Sequence, residues 1–351
     1  MKILSNQLKA LLKKLGSARS ENLYLDSRRM VAWDSDLLVL VNQGIVDGPI
    51  TVSLRKFSSV VSRLSGEIDL SLSDKGLSLK SARASVFLER VATKPPAHQI
   101  VKLSLSLPLA TVKSLLSYAI TSADPNKAVD GGGVVQISTL AKGIEDNTIV
   151  KLRSVGTNTI RLALAEADTT QEQPFSLNIP LAAAIAIQGL DGEILGVAET
   201  EKLFVFSAGD VEITAVKLAK PYPNYGAYIP KEFKYQFEIP AEAAKQALRV
   251  VEPLIENDEN ACAVHFLDNS MVVRSIGGGG SAEDALETVQ VKPDPVFDAV
   301  DFRILLNHRY LADFFGAVTG SVTFEANGPD KPVILRVPGK TLLICPTVEK
   351  K

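Results

Sequence analysis

The sequence predicts an α+β protein assembled from a repeated strand–helix–strands unit. Two patterns carry the prediction: six helical stretches lie along the chain, and segments alternating apolar and polar residues surround them. At 351 residues the chain exceeds one typical domain and suggests two or three. Its 46% hydrophobic and 22% charged residues suit a globular protein and exclude a disordered or collagen-like one.

The first helix is expected over Ser5–Gly16, with Leu8, Leu11, Leu12 and Leu15 on one face, Ser5 as N-cap and Gly16 as stop. Strand-like runs follow, broken by a turn at Asp34–Asp36. A strand at Ile50–Ser53 then leads into a second helix, Leu54–Ser65, with Phe57, Val60, Val61 and Leu64 on one side. Alternating residues around Asp74–Gly76 read as a hairpin. The stretch Lys94-Pro95-Pro96-Ala97-His98 cannot continue a sheet interior and reads as a linker. Beyond it the same design recurs. LSLSLPLATVKSLLSYA, FSLNIPLAAAIAIQGL and YQFEIPAEAAKQALRVV each give a strand and then a helix, with Pro108, Pro180 and Pro240 expected in the first helical turn. DFRILLNHRYLADFFGAVTG repeats the design with Asn307 as N-cap. Boundaries near residues 98 and 230 divide the chain into 1–98, 99–230 and 231–351.

Charge is distributed unevenly. Across the expected helices 5–16, 54–65, 108–119, 180–189, 240–253 and 307–319 stand Lys9, Lys13, Lys14, Arg55, Lys56, Arg63, Lys113, Lys245, Arg249 and Arg309, against Glu242, Glu252 and Asp313. That excess of seven positive charges leaves nine negative for the remainder, because the whole chain carries −2. Helices converging on one surface would present positive potential to a phosphate backbone. Lysine and arginine are also good helix formers on solvated faces, so both readings stand at this point.

No catalytic signature is present. His98, His265 and His308 have no metal-ligand spacing, and Cys262 and Cys345 are far apart with no CxxC, which gives neither a zinc site nor a disulfide framework. The glycine runs Gly131–Gly133 and Gly277–Gly280 match no phosphate-binding motif and read as loops, with Lys127 and Arg274 as flanking charges. No catalytic residue, metal or cofactor is expected. The N-terminus lacks a secretory h-region and no run of apolar residues is long enough to span a membrane, so a cytoplasmic location is expected.

Several segments, in order, resemble the β subunit sliding clamp of bacterial DNA polymerase III. ITVSLRKFSSVVSRLSGEIDLSLSDKGLSLKSARASVFLERVAT is similar to the family's RKF-containing helix and hairpin, and LSLPLATVKSLLSYA to its LPxxxxKxLI helix start. TNTIRLALAEA is similar to the TDGHRLA strand, KLAKPYPNYGAYIP to the FPDYxxxxP segment, ILLNHRYLADFFGAV to the N-x-x-Y-L-x-D helix, and LLICPTV to the terminal apolar-Met-Pro segment. The resemblance implies the DNA clamp fold: three similar domains, each of two βαβββ units, with helices lining a central hole. It also implies a homodimeric ring that encircles double-stranded DNA as a processivity factor, served by a clamp loader and a DNA polymerase. A clamp-fold module recruiting transcription or repair factors to DNA is the alternative.

The implied DNA-binding set is Lys9, Lys13, Lys14, Arg19, Arg55, Lys56, Arg63, Lys113, Lys127, Lys245 and Arg249. The implied cleft for partner peptides uses Thr157, Ile160, Arg161 and Leu162 with Pro223 and Tyr228, and Leu343, Cys345, Pro346 and Val348 from the tail. Thr159 and Ile160 stand where the family has glycine and histidine, so a more aliphatic cleft is expected. Cys345-Pro346-Thr347-Val348 replaces Met-Pro-Met-Arg-Leu, and Val129-Asp130-Gly131 replaces a tyrosine-bearing loop.

Overall fold

The computed structural model describes residues 1–15, 20–97, 101–124, 126, 133–141, 149–218, 221–255, 260–267, 270–276, 281–290 and 301–347. Among them are six helices: α1 (Ser5–Leu15), α2 (Leu54–Arg63), α3 (Leu109–Ile120), α4 (Leu181–Gln188), α5 (Ala241–Val251) and α6 (His308–Gly316). Each follows one strand and precedes three, and a short extra strand, Val289–Gln290, follows the fifth set. The βαβββ unit therefore occurs six times, a mixed architecture of packed helices and antiparallel sheets.

The helices form where the periodicity places them. α1 buries Leu8, Leu11 and Leu15, and α2 buries Leu54, Phe57 and Val61. The Ser53 hydroxyl caps α2 by accepting from the Lys56 amide at 3.4 Å, and Asn307 caps α6 by accepting from the Tyr310 amide at 3.3 Å. The three prolines correct the expectation. Pro108, Pro180 and Pro240 end the preceding strands rather than opening the helices. Pro240 has φ −64° and ψ 118°, and the next amide, of Ala241, donates to the Gly320 carbonyl at 2.8 Å. Proline fixes only φ, and the sheet fixes ψ as extended. A second difference is the strand Lys2–Leu4, paired with Glu67–Asp69, which is too short to show alternation in sequence.

Neighbouring units exchange their first strands. Lys2–Leu4 joins the sheet of the second unit, while Ile50–Ser53 pairs with Asn22–Leu25 of the first. Tyr235–Pro240 and Asp301–Asn307 do the same in the last two units. Neither partner can bury its sheet without the other.

The chain divides into two compact units, Met1–Ser117 with Leu177–Ala219, and Tyr118–Ser176 with Lys220–Lys351. In the first, a sheet runs in the order Ile50–Ser53, Asn22–Leu25, Met30–Trp33, Leu37–Val41, Val211–Val216, Leu203–Ala208, Ile194–Glu199, Leu105–Pro108. Its smaller sheet ends on the edge strand Ser85–Glu89, and α1 packs against α2. In the second unit, strands follow the order Val134–Ala141, Ile149–Thr157, Arg161–Asp168, Lys340–Ile344, Val333–Val337, Ser321–Ala326, Tyr235–Pro240, Val289–Gln290. The smaller sheet there ends on Glu283–Glu287, and α5 packs against α6. Each unit takes part of residues 99–230 because Leu37–Val41 pairs with Val211–Val216, and Arg161–Asp168 pairs with Lys340–Ile344.

Candidate functional site

The second unit brings the expected cleft residues to one sheet face. Alternation along paired strands places Val155, Leu162, Leu164, Ile334 and Leu343 in one apolar cluster, on which Tyr222, Tyr225, Ile229, Phe233 and Cys345 pack. Leu162 lies opposite Leu343 and Thr157 opposite Leu162, so the predicted strand and tail residues are direct neighbours. Leu162 and Leu343 are each 5% exposed and serve as the floor. Ile160 at 48% and Tyr228 at 69% stand at the surface, and Pro223, Cys345 and Pro346 are half-buried. Val348 lies outside the described residues.

The turn Thr157–Arg161 forms one wall and is held by its own side chains. The Asn158 carboxamide oxygen accepts from the amides of Ile160 at 3.2 Å and Arg161 at 2.8 Å. The Thr157 hydroxyl donates to the Arg161 carbonyl at 2.8 Å and accepts from the Thr159 amide at 3.1 Å. These bonds hold Thr159 at φ 75°, a left-handed conformation that a β-branched residue rarely adopts. Glycine occupies this position in the family's motif, and the reason is now visible. The Ile160 carbonyl accepts from the Cys345 amide at 2.8 Å, which ties the tail to the turn.

Arg161 is fixed as well. Its Nη1 donates to Asp313 at 2.7 Å, its Nη2 donates to the Thr121 carbonyl, and its guanidinium lies 4.2 Å from the centre of the Tyr310 ring. Asn158 Nδ2 donates to the Tyr310 hydroxyl at 3.2 Å. α6 therefore holds the turn through two side chains, Tyr310 and Asp313, spaced three apart on one helix face. Sequence reasoning used their motif only to place the helix. It also passed over Val155, Ile334, Tyr222, Tyr225 and Phe233, whose meeting depends on strand pairing. Burial raises the pKa of the Tyr222 hydroxyl, with Tyr225 adding to the shift, and that hydroxyl donates to the Val155 carbonyl at 2.9 Å. Burial likewise raises the Cys345 thiol, so this wall is uncharged at neutral pH.

The basic residues are dispersed over the helices. Lys9, Lys13, Arg55, Lys56, Arg63, Arg249 and Arg309 are exposed, while Lys113 and Lys245 are half-buried. Lys14 pairs with Asp210 at 2.8 Å, which neutralises part of the α1 charge. Lys9 and Lys113 donate to the carbonyls of Leu64 and Leu190 at 3.0 and 2.8 Å. Arg19 and Lys127 lie outside the described residues, as do His98, Val129–Gly131 and Gly277–Gly280. Arg274 pairs with Glu283 at 2.6 Å. His308 is buried with Nε2 2.8 Å from the Leu248 carbonyl, and His265 meets Asp301 at 2.6 Å. No group of three or more His, Cys, Asp or Glu among the described residues is arranged to hold a metal ion. No described helix is long and apolar enough to cross a membrane.

No family model matches the chain. A beta sliding clamp from Synechococcus elongatus is 24% identical over 312 residues, covering 82% of this chain and 77% of that protein. Among solved structures, the DNA polymerase III beta subunit of Thermotoga maritima matches with a TM-score of 0.83 at 15% identity, covering 99% of both chains. That of Pseudomonas aeruginosa matches with a TM-score of 0.80 at 16% identity, also covering 99% of both. A putative beta subunit from Eubacterium rectale gives 0.81 at 15% identity, covering 99% of this chain and 98% of that one. The sixfold βαβββ order, the ordered motifs and these likenesses agree: the chain has the clamp fold and is similar along its length to beta sliding clamps.

Proposed function

We propose that this protein is a DNA sliding clamp, a processivity factor that encircles double-stranded DNA and tethers a DNA polymerase without catalysing a reaction. The observation that carries the reading is the sixfold βαβββ repeat whose helices hold more basic than acidic residues in a chain of net charge −2. A ring holds DNA topologically, so weak contacts to phosphates from Lys9, Lys13, Arg55, Lys56, Arg63, Lys113, Lys245 and Arg249 suffice and permit sliding. Lys14, Arg19 and Lys127 complete that set, with the charge of Lys14 offset by Asp210. The repeat pairs units through exchanged strands, which supports three domains, 1–98, 99–230 and 231–351.

Two chains close the ring head to tail. The edge strand Ser85–Glu89 presents the half-exposed Phe87 and follows the exposed Arg83, whereas the edge strand Glu283–Glu287 carries Glu283, Asp284 and Glu287. Both strands are sheet edges, and an unpaired edge is a template for the addition of another strand. A clamp loader opens this ring in the cytoplasm, and polymerase peptides dock in the cleft of the second unit.

Solution mass combined with retention on circular and linearised DNA tests the reading. The expected result is twice 37.7 kDa with retention on circles alone, weakening with salt less steeply when Arg55, Lys56 and Arg63 become glutamine. A monomer retained equally on both DNAs overturns it.

A further inference from the structure

We infer that the first unit carries a second peptide-docking groove, a counterpart of the partner cleft with an acidic wall. The inference rests on the cleft reading above. The copy lies in the hydrogen bonds of the turn and in the strand register. Asp34 accepts at one carboxylate oxygen from the amides of Asp36 at 2.9 Å and Leu37 at 2.8 Å, as Asn158 does from Ile160 and Arg161. The Asp34 amide donates to the Leu37 carbonyl at 2.9 Å, as that of Asn158 donates to Arg161 at 3.2 Å. The Val216 amide donates to the Asp36 carbonyl at 2.9 Å, as that of Cys345 donates to Ile160 at 2.8 Å. Strand pairing agrees as well: Trp33 lies opposite Leu38 and Val31 opposite Leu40, matching Thr157 with Leu162 and Val155 with Leu164.

The floor is again apolar. Val31, Leu38 and Leu40 form a buried cluster on which Tyr24 and Trp33 pack. Beside it lies a cavity of about 220 Å³ between this turn and the linker, lined by Asp34, Asp36, Leu38, Pro96, Leu203 and Val216, with Val216 40% exposed. The walls differ in charge. Where the cleft has Ile160 and Arg161, this groove has the exposed Asp36 and the buried Leu37. Among the described residues neither Asp34 nor Asp36 has an ion-pair partner. Two carboxylates over an aliphatic floor suit an extended segment of a partner protein in which leucine-sized residues flank arginine or lysine. Such a site lets one chain hold a second protein while the cleft is occupied.

Trp33 is the chain's single tryptophan and belongs to the floor of this groove alone, so its fluorescence separates the two sites. The intact protein is titrated to millimolar concentration with a nine-residue peptide alternating arginine and leucine, and with the same peptide carrying glutamate for arginine. The expected result is a saturable Trp33 response to the arginine peptide, with half-saturation raised at least tenfold in Asp36→Lys and in Val216→Arg. Both positions face solvent, and circular dichroism confirms that the variants fold. Ile160→Arg, which lies in the other cleft, leaves the response unchanged. Absence of a saturable response, an equal response to the glutamate peptide, an unchanged half-saturation in Asp36→Lys, or loss of the response in Ile160→Arg overturns the inference. Failure of Ile160→Arg to weaken a polymerase peptide counts instead against the cleft.

Discussion

Gly156 lies on the strand Ile149–Thr157 directly beneath the end of α3, and replacing it with alanine tests how tightly that helix is seated. A Cβ at position 156 would stand 2.0 Å from the Ala119 carbonyl oxygen, 2.7 Å from its carbon and 3.3 Å from its Cα. Carbon–oxygen contact needs more than 3 Å, so helix or strand must move by more than about 1 Å, and no flexible side chain is available to yield. Val112, Leu116 and Ala119 are fully buried, so α3 cannot shift without opening its own packing. Overpacking of this kind costs about 1–3 kcal/mol, and contact with backbone places Gly156→Ala at the upper end of that range. The same displacement moves the Thr121 carbonyl, which accepts from Arg161, so affinity for a cleft peptide falls together with stability. Urea denaturation followed by circular dichroism, with peptide anisotropy on the same preparation, reads both effects. A loss of less than about 0.5 kcal/mol would refute the reasoning, because the strand would then have room that these contacts deny it.

Thr159→Gly should raise stability by about 0.5 kcal/mol, since relief of about 1–2 kcal/mol of left-handed strain exceeds glycine's entropic cost of about 0.5–1 kcal/mol; a lowered urea midpoint would contradict this. Asp313→Asn removes the ion pair to the mostly buried Arg161 while leaving Tyr310 beneath it, and a cost of about 1 kcal/mol, discounted because Asp313 is half-exposed, should weaken a cleft peptide about fivefold by anisotropy. In native protein at pH 8 iodoacetamide should modify Cys345 before Cys262, as counted by mass spectrometry. Burial pushes Cys262 up to about 12 and raises Cys345 as well, so both carry little thiolate at pH 8, and only the half-buried Cys345 should react faster as the pH rises.

The six helices were legible because their information is local: Leu8, Leu11 and Leu15 fix a face, and Asn307 fixes a start. The strand Lys2–Leu4 was not, because three residues carry no period and its stability comes from Glu67–Asp69, more than sixty positions away. The prolines misled by one residue, since the amide of Ala241 answers to Gly320, the residue just before the strand Ser321–Ala326. The cleft divided along the same line. Thr157–Leu162 and Leu343–Pro346 appeared as motifs, whereas Tyr222, Ile334 and Asp313 join the site only through pairing and helix docking, which no single segment encodes.

The two Asx turns show how a repeated fold acquires different surfaces at little cost. In each, the backbone is fixed by the residue opening the turn, Asp34 or Asn158, whose side-chain oxygen is spent on two amides. Asp36 and Ile160, two positions later, contribute only a carbonyl to the neighbouring strand, through the amides of Val216 and Cys345. Any side chain satisfies that bond, and both side chains point to solvent. These positions are therefore free to set the charge and polarity of a groove without disturbing the turn that presents it. The position between them is constrained by its φ, and at Thr159 the chain accepts strain that its counterpart Ser35, with no positive φ, avoids. Under the proposed docking roles, partner preference changes at positions 36 and 160 while the sheets and exchanged strands that build the fold stay as they are.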